Sequence, residues 1–313
     1  MTRREVRLPS GWLSPDAIEG VFKQLDHARA EGTEVDIVFG RSTALLATTG
    51  LRCLAYLNQW ASRVDEVGPR LVFENRDLFS FLDRNGFLAC LNESVVCAPD
   101  RPVTPASVAL RGGASTVVEV VLIPPAQSAE LQHRIVGEMT DKVLRAVADL
   151  DAELLERISN RLFAALAELI DNVQNHSQTT LPGYATLQVY PKSGTVQAVV
   201  GDSGVGIPAT LRAGNAAINA EATDEQLLQL SIEKGLSRRG ASHGFGCGFQ
   251  LIRDLVSQVG GIISVRVPTS EFILTASPGT RPPLHGRGVH RQAGLAGTHI
   301  GLELRLDSPG WRL

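Results

Sequence analysis

The N-terminal third of the chain alternates short runs of β-branched residues with amphipathic helical segments. Val35–Phe39 is a strand-like run, and Pro15–Ala30 before it carries apolar side chains at helical spacing. The helical pattern returns at Thr48–Val64 and is followed by a second strand-like run at Pro69–Phe73. A chain with this alternation folds into helices layered on a sheet. The sequence therefore predicts an α/β domain at residues 1–98.

The rest of the chain has a different order of elements. Residues 99–126 are predicted to be a linker that carries one strand, because prolines interrupt the pattern on both sides of it. Two helices are expected within 128–176. Two strand candidates follow, then a helix at 249–259, and then two further strand candidates. The segment 277–297, rich in glycine, proline and arginine, is expected to be a long mobile loop. Residues 127–313 are thus predicted to form a second domain, a mostly antiparallel sheet with helices on one face.

Composition and charge exclude several classes of function. Hydrophobic residues make up 43% of the chain and the formal net charge is −3, which gives no general attraction to nucleic acid or to anionic membranes. We find no apolar run of the ~20 residues that span a bilayer and no signal-peptide pattern. The four cysteines form no CxxC pair, as is typical of reduced thiols. We therefore expect a cytoplasmic protein without nucleic-acid or membrane partners.

The helix predicted at residues 160–176 separates polar from apolar side chains sharply. Its polar face carries, at positions i, i+3, i+4 and i+7, Glu168, Asp171, Asn172 and Asn175. A solvated helix face is one interpretation. Asparagine, however, competes with the helix backbone and is a poor choice for a face that only meets water. A carboxylate and a carboxamide one turn apart suit an activated water and a hydrated Mg²⁺.

Two glycine-rich segments follow this helix. Asp202, Gly204 and Gly206 come directly after a strand candidate, where a sharp backbone turn places a carboxylate beside a ligand. The second segment opens the helix at 249–259 with Gly244, Gly246 and Gly248. Bare N–H groups at a helix N-terminus favour phosphate, although the spacing is neither that of a Walker A loop nor that of a dinucleotide-binding turn. Each segment alone is equally compatible with an ordinary turn.

Taken in order, the polar helix, the aspartate turn and the three glycines resemble the N, G1 and G2 boxes of the GHKL superfamily. This superfamily includes gyrase-type, heat-shock-chaperone, histidine-kinase and mismatch-repair ATPases and the anti-sigma-factor kinases. The resemblance covers about residues 127–306 and implies a Bergerat-type two-layer α/β sandwich that uses ATP and Mg²⁺ as cofactors.

The resemblance also implies a role for each motif residue. Glu168 matches the catalytic carboxylate that activates water or a protein hydroxyl, and Asn172 matches the asparagine that binds Mg²⁺. Asp202 matches the aspartate that reads the adenine amino group. The other matched positions bind the nucleotide: Gly204 and Gly206 at the base, Gly244, Gly246 and Gly248 at the phosphates, and Thr298 at the adenine site through water. The segment between Ile207 and His243 matches the lid that closes over ATP, and its Arg238 and Arg239 are either γ-phosphate contacts or a solvated pair.

Three departures distinguish this chain from phospho-accepting histidine kinases. Those enzymes usually carry asparagine where this chain has Glu168 and lysine where it has Asn175, and the surroundings of His133 do not form an H-box. The pattern is closest to the anti-sigma-factor kinases and the chaperone-type ATPases.

Residues 1–98 resemble a STAS domain, the fold of anti-sigma-factor antagonists. Val6–Leu13 looks like its opening strand and Gly–x–Leu turn, and Val35–Phe39 looks like its central strand. Ala47–Leu51 falls where the family has its Asp–Ser–Ser–Gly–Leu phosphoacceptor turn, with alanine replacing the aspartate. Thr48 and Thr49 are therefore either phosphoacceptors or capping residues of the helix.

Two functional hypotheses follow. In the first, the chain is a slow ATPase or a Ser/Thr protein kinase that acts as a regulatory switch through its STAS-like domain. In the second, it is a nucleotide-gated interaction module without significant turnover; an atypical histidine kinase is a further alternative. In each case we expect protein partners, reached through the STAS-like domain, and a homodimer is one expected arrangement.

Overall fold

The computed structural model describes residues 3–63, 66–109, 116–125, 128–147, 152–214, 221–234, 248–279, 289–290 and 293–305. Within these ranges the helices are too short or too polar to cross a membrane.

The N-terminal region is an α/β unit built on a parallel sheet. Its elements, in chain order, are β1 (Arg4–Arg7), β2 (Gly11–Leu13), α1 (Pro15–Ala30), β3 (Val35–Phe39), β4 (Thr43–Leu45), α2 (Ala47–Ala61), β5 (Arg70–Phe73), α3 (Arg76–Arg84), α4 (Phe87–Cys90), β6 (Val96–Ala98) and α5 (Ala106–Ala109). Four strands pair in parallel in the order β1-β3-β5-β6, and β2 pairs with β4 in a separate two-stranded sheet. The mixed α/β architecture expected from the strand–helix alternation is confirmed.

The C-terminal region is built on a seven-stranded sheet. Its elements are β7 (Val117–Ile123), α6 (Ala129–Ala146), α7 (Ala152–His176), β8 (Gly183–Tyr190), β9 (Thr195–Gly201), α8 (Ile207–Gly214), α9 (Asp224–Lys234), α10 (Gly248–Val259), β10 (Gly261–Arg266), β11 (Ser270–Ala276), β12 (Val289–His290) and β13 (His299–Arg305). The strand order is β12-β11-β10-β13-β9-β8-β7, and every neighbouring pair is antiparallel. β7, which lies in the predicted linker, is an edge strand of this sheet.

One face of the seven-stranded sheet is covered by helices, as predicted. Ala198 and Val200 on β9 share a continuous apolar core with Leu166 on α7 and Val256 on α10. Because side chains alternate between the two faces of a strand, the intervening residue Val199 points the other way.

The opposite face is covered by the N-terminal region, which the sequence did not predict. Val199 and Tyr184 belong to a second core together with Leu51 and Leu54 of α2. A Cβ at Gly201 would lie 2.5 Å from Nδ1 of His299 and 3.0 Å from Cδ2 of Leu51, so glycine at this position leaves room both for the His299 ring and for α2. The C-terminal sheet is therefore sandwiched between its own helices and α2.

Two buried ion pairs cross this contact in opposite directions. Nη2 of Arg52 on α2 lies 2.6 Å from Oε1 of Glu271 on β11, and Nε of Arg266 on β10 lies 2.8 Å from Oε1 of Glu19 on α1. Each region thus supplies one guanidinium and one carboxylate, and all four side chains are almost completely buried. Charges buried in this way are stable only while their partners remain in place, so the pairs fix how the two regions dock.

We expect Arg52→Met to lower the free energy of unfolding by about 3–5 kcal/mol, because it removes the guanidinium that donates to the buried Glu271 carboxylate. The double variant Arg52→Met/Glu271→Leu should recover most of this loss, since Nε and Nη1 of Arg52 find no acceptor among the described residues. Urea denaturation of both variants and the wild type measures the difference. A double variant no more stable than Arg52→Met would contradict the account.

Candidate functional site

The turn after β9 holds a buried carboxylate. Asp202 is 6% exposed, and its two oxygens accept hydrogen bonds from backbone N–H groups of two different loops. Oδ1 accepts from the nitrogen of Gly204 at 2.7 Å, and Oδ2 accepts from that of Thr298 at 3.2 Å. The carboxylate is fixed in place, and each oxygen keeps a lone pair for a further donor.

Thr298 lies next to this carboxylate and fixes a second backbone group beside it. Its hydroxyl oxygen accepts a hydrogen bond from the nitrogen of Ile207 at 3.1 Å, just beyond Gly206. Gly297 before it has a φ of +90°, and a Cβ there would lie 2.0 Å from the backbone oxygen of Asp202. Only glycine fits at this position, which explains the Gly–Thr pair at the head of β13.

Burial changes the protonation of the Asp202 carboxyl. Loss of solvent raises its pKa to about 6, although the N–H groups of Gly204 and Thr298 act in the opposite direction. The carboxylate is therefore mostly ionised at neutral pH, but it takes up a proton at a much higher pH than an exposed aspartate does.

The polar face of α7 is half-buried at the positions that the sequence singles out. Glu168, Asp171 and Asn172 are neither fully exposed nor part of the core, while Leu169 and Ile170 between them are buried. Partial burial raises the pKa of Glu168, and the negative charge of Asp171 raises it further. This carboxylate is thus a stronger base than an ordinary glutamate.

The C-terminal end of α7 contacts the aspartate turn directly. The backbone oxygen of Ser177 accepts a hydrogen bond from the nitrogen of Val205 at 3.0 Å. The polar helix and the aspartate turn, which the sequence identifies as separate motifs, therefore meet in the fold. The side chain of Asn175 lies outside the described residues.

The expected phosphate-binding glycines are described only in part. Gly248 begins α10, in agreement with the prediction that the glycines open a helix. Gly244 and Gly246 lie outside the described residues, as do Arg238 and Arg239.

The segment expected to be the lid contains two helices. Within it, α8 and α9 are joined by an ion pair, in which Nη1 of Arg212 lies 2.6 Å from Oδ1 of Asp224. Leu227 and Leu228 on α9 are fully buried. The described part of the lid segment is thus packed onto the domain.

Another expectation is wrong in part. The segment 277–297 was expected to be a mobile loop, but Ala293 and Leu295 near its end are buried against the N-terminal region. The nitrogen of Gly294 donates to the carboxylate of Asp26 on α1. Glycine, proline and arginine indicate a loop correctly, yet local composition carries no information about contacts made far along the chain.

The residues present fit an adenine nucleotide with Mg²⁺. The buried carboxylate of Asp202 keeps free lone pairs besides its two backbone hydrogen bonds, so it can accept from the amino group of a base. Glycine at position 297 allows the backbone to pass close to this carboxylate. The carboxamide oxygen of Asn172 is the kind of ligand that Mg²⁺ accepts.

Comparison with known proteins supports this fit. Residues 158–307 match the family of histidine kinase-, DNA gyrase B-, and HSP90-like ATPases. No curated protein matches the chain significantly. The matched span contains most of α7, the aspartate turn, α10 and β13, which are the elements of the candidate site. Residues 158–307 are therefore similar to the ATPase domain of the GHKL superfamily.

Proposed function

We propose that this protein binds Mg-ATP and turns it over slowly, as an ATPase or as a Ser/Thr protein kinase, under the control of its N-terminal region. The observation that carries the proposal is the Asp202 carboxylate, which is buried and held by Gly204 and Thr298. The motif resemblance assigns this residue to the adenine amino group. A purine with an exocyclic amino group can donate a hydrogen bond to this fixed carboxylate. A purine with an exocyclic carbonyl cannot, and it leaves the buried carboxylate unpaired, which costs binding free energy.

Each residue of the site then has a defined task. Asp202 accepts a hydrogen bond from the adenine amino group, while Gly206 and Thr298 shape the space beside the base. The oxygen of Asn172 holds Mg²⁺, which neutralises charge on the triphosphate when it is bound. Gly244, Gly246 and Gly248 present N–H groups to the phosphates.

Glu168 is the proposed general base. It accepts the proton of the attacking water, or of a protein hydroxyl, as the nucleophile approaches the γ-phosphate. Its raised pKa favours this task, because a base is most effective when its pKa approaches the working pH.

If the reaction is protein phosphorylation, the position of Thr49 does not favour it as the acceptor. Thr49 is fully buried, and its hydroxyl both accepts from the nitrogen of Leu46 and donates to its oxygen, each at 3.1 Å. This geometry supports the capping interpretation of Thr49. Thr48 lies beside Gly301 of the C-terminal sheet, within the contact between the two regions.

The regulatory part of the proposal rests on the N-terminal region. Its resemblance to a STAS domain comes from the sequence, and the parallel four-stranded sheet is compatible with an α/β interaction domain. The packing of α2 against the sheet that carries Asp202 favours the second candidate function as well, a nucleotide-gated interaction module with negligible turnover.

At pH 7.5 we expect Asp202→Asn to weaken ATP binding by about 10- to 150-fold, because it removes a buried charged acceptor. The difference from the wild type should shrink as the pH falls through about 6, where the wild-type carboxyl is itself protonated. Calorimetric titration with Mg-ATP between pH 5 and 8 measures the affinity of the wild type and of the variant. Protonation of the nucleotide affects both proteins alike, so it cancels in their difference. A difference that is constant across this range would contradict the assigned role.

We expect Glu168→Gln to retain Mg-ATP binding but to lose turnover by about 10²-fold or more, because it removes only the base. Glu156→Gln, on the exposed part of α7, is the matched control and should turn over like the wild type. Incubation with γ-labelled ATP separates free phosphate, phosphoprotein and unchanged ATP. If the wild type is already as slow as Glu168→Gln, the protein is the interaction module.

Asn172→Ala should lose the part of ATP affinity that depends on Mg²⁺, because it removes the metal's protein ligand. Titration with ATP in Mg²⁺ and in EDTA should therefore give the same affinity for this variant and different affinities for the wild type. An unchanged Mg²⁺ effect in Asn172→Ala would show that the metal is held elsewhere.

A further inference from the structure

Hydrogen bonds connect residues 293–297, the loop that leads into Thr298, to the N-terminal region. Gly294 bonds to Asp26 on α1, as described above. The guanidinium of Arg266, which is paired with Glu19 on α1, donates to the backbone oxygens of Ala293 and Leu295.

Gln59, near the C-terminal end of α2, also contacts this loop. This side chain is 8% exposed, and its carboxamide makes three hydrogen bonds. Nε2 donates to the backbone oxygen of Ala296 at 3.1 Å and to Oγ of Ser203 at 3.0 Å, while Oε1 accepts from the nitrogen of Ala296 at 2.9 Å. A single side chain therefore bridges two loops of the ATPase domain.

Those two loops are the ones that form the base site. Ser203 directly follows Asp202, and Ala296 lies two residues before Thr298. Within the site, Oδ2 of Asp202 accepts from the nitrogen of Thr298, so the loops must keep their spacing for this bond to persist. Gln59 connects the same two loops through Ser203 and Ala296.

We propose that Gln59 is a positioning residue of the adenine site: it holds the Asp202 turn and the Thr298 loop at the spacing that reads adenine. The inference rests on the proposed function and adds a residue from outside the ATPase domain to it. The N-terminal region is then part of the nucleotide site, and a partner that displaces α2 loosens that site. By reciprocity, bound nucleotide tightens the contact of α2 with the sheet.

Two substitutions of neighbouring carboxamides test this role in the full-length protein. Gln59→Met keeps the length of the side chain and removes all three hydrogen bonds. Asn58→Leu is the matched control, because Asn58 is equally buried on α2 and also makes three bonds, to the oxygen of Cys90, to the hydroxyl of Tyr184 and from the nitrogen of Asn92. Both variants should lose stability, so stability alone does not distinguish them.

The readout is base selectivity, which a merely structural role would not change. Calorimetric titration with Mg-ATP and Mg-GTP should show that Gln59→Met binds ATP about 10-fold more weakly and that its preference for ATP over GTP narrows by a similar factor. Asn58→Leu should keep the wild-type ratio. Hydrogen exchange at the amide of Ala296 should accelerate in Gln59→Met and not in Asn58→Leu.

Gln59→Glu gives an independent check if Gln59→Met folds poorly. It keeps an acceptor for the nitrogen of Ala296 and for the Ser203 hydroxyl, but it sets a carboxylate oxygen against the Ala296 oxygen in place of a donor, so its preference for ATP over GTP should also narrow. Wild-type ATP binding with the same ATP-to-GTP ratio in every variant would overturn the inference while leaving the proposed function intact. A wild type that does not bind ATP would overturn both.

Discussion

The docking of α2 onto the outer face of the seven-stranded sheet is the contact on which the rest of the structure depends. One buried ion pair, Arg52 with Glu271, links α2 to the sheet, and a second, Glu19 with Arg266, links α1 to it. Neither region can therefore shift without exposing a charge or separating it from its partner. The glycine at position 201 leaves room for both the His299 ring and Leu51 of α2. With the register of α2 fixed, the carboxamide of Gln59 lies between the two loops of the proposed base site.

Much of the local structure could be predicted because it is encoded in short-range patterns. The helix expected at Pro15–Ala30 and the strand at Val35–Phe39 have the predicted bounds, and the helix of the polar stripe ends at His176 as expected. Strand β11, in contrast, was not identified. Phe272 and Leu274 of its Phe-Ile-Leu run are buried and Ile273 is half-buried, and a continuous apolar run does not show in the sequence the alternation that identifies a strand.

The candidate site, too, could be predicted from the sequence only in part. Asp202, Gly204 and Thr298 could be found from motif order, and the ATPase family match covers them. Their bonding could not, because the carboxylate of Asp202 and the nitrogen of Thr298 are 96 positions apart. Gln59 lies 237 positions from Ala296, and only its polarity within a buried helix distinguishes it in the sequence. Contacts between distant segments depend on how the two regions dock, which no local pattern carries.

The central claim is that the nucleotide site and the N-terminal region form one coupled structure. Hydrogen exchange of the full-length protein, with and without saturating Mg-ATP, tests it most directly. The account predicts that Mg-ATP slows exchange in the Asp202 turn, in residues 294–298 and in the C-terminal turn of α2 around Gln59. Slower exchange confined to the Asp202 turn, with residues 294–298 and α2 unchanged, would contradict it.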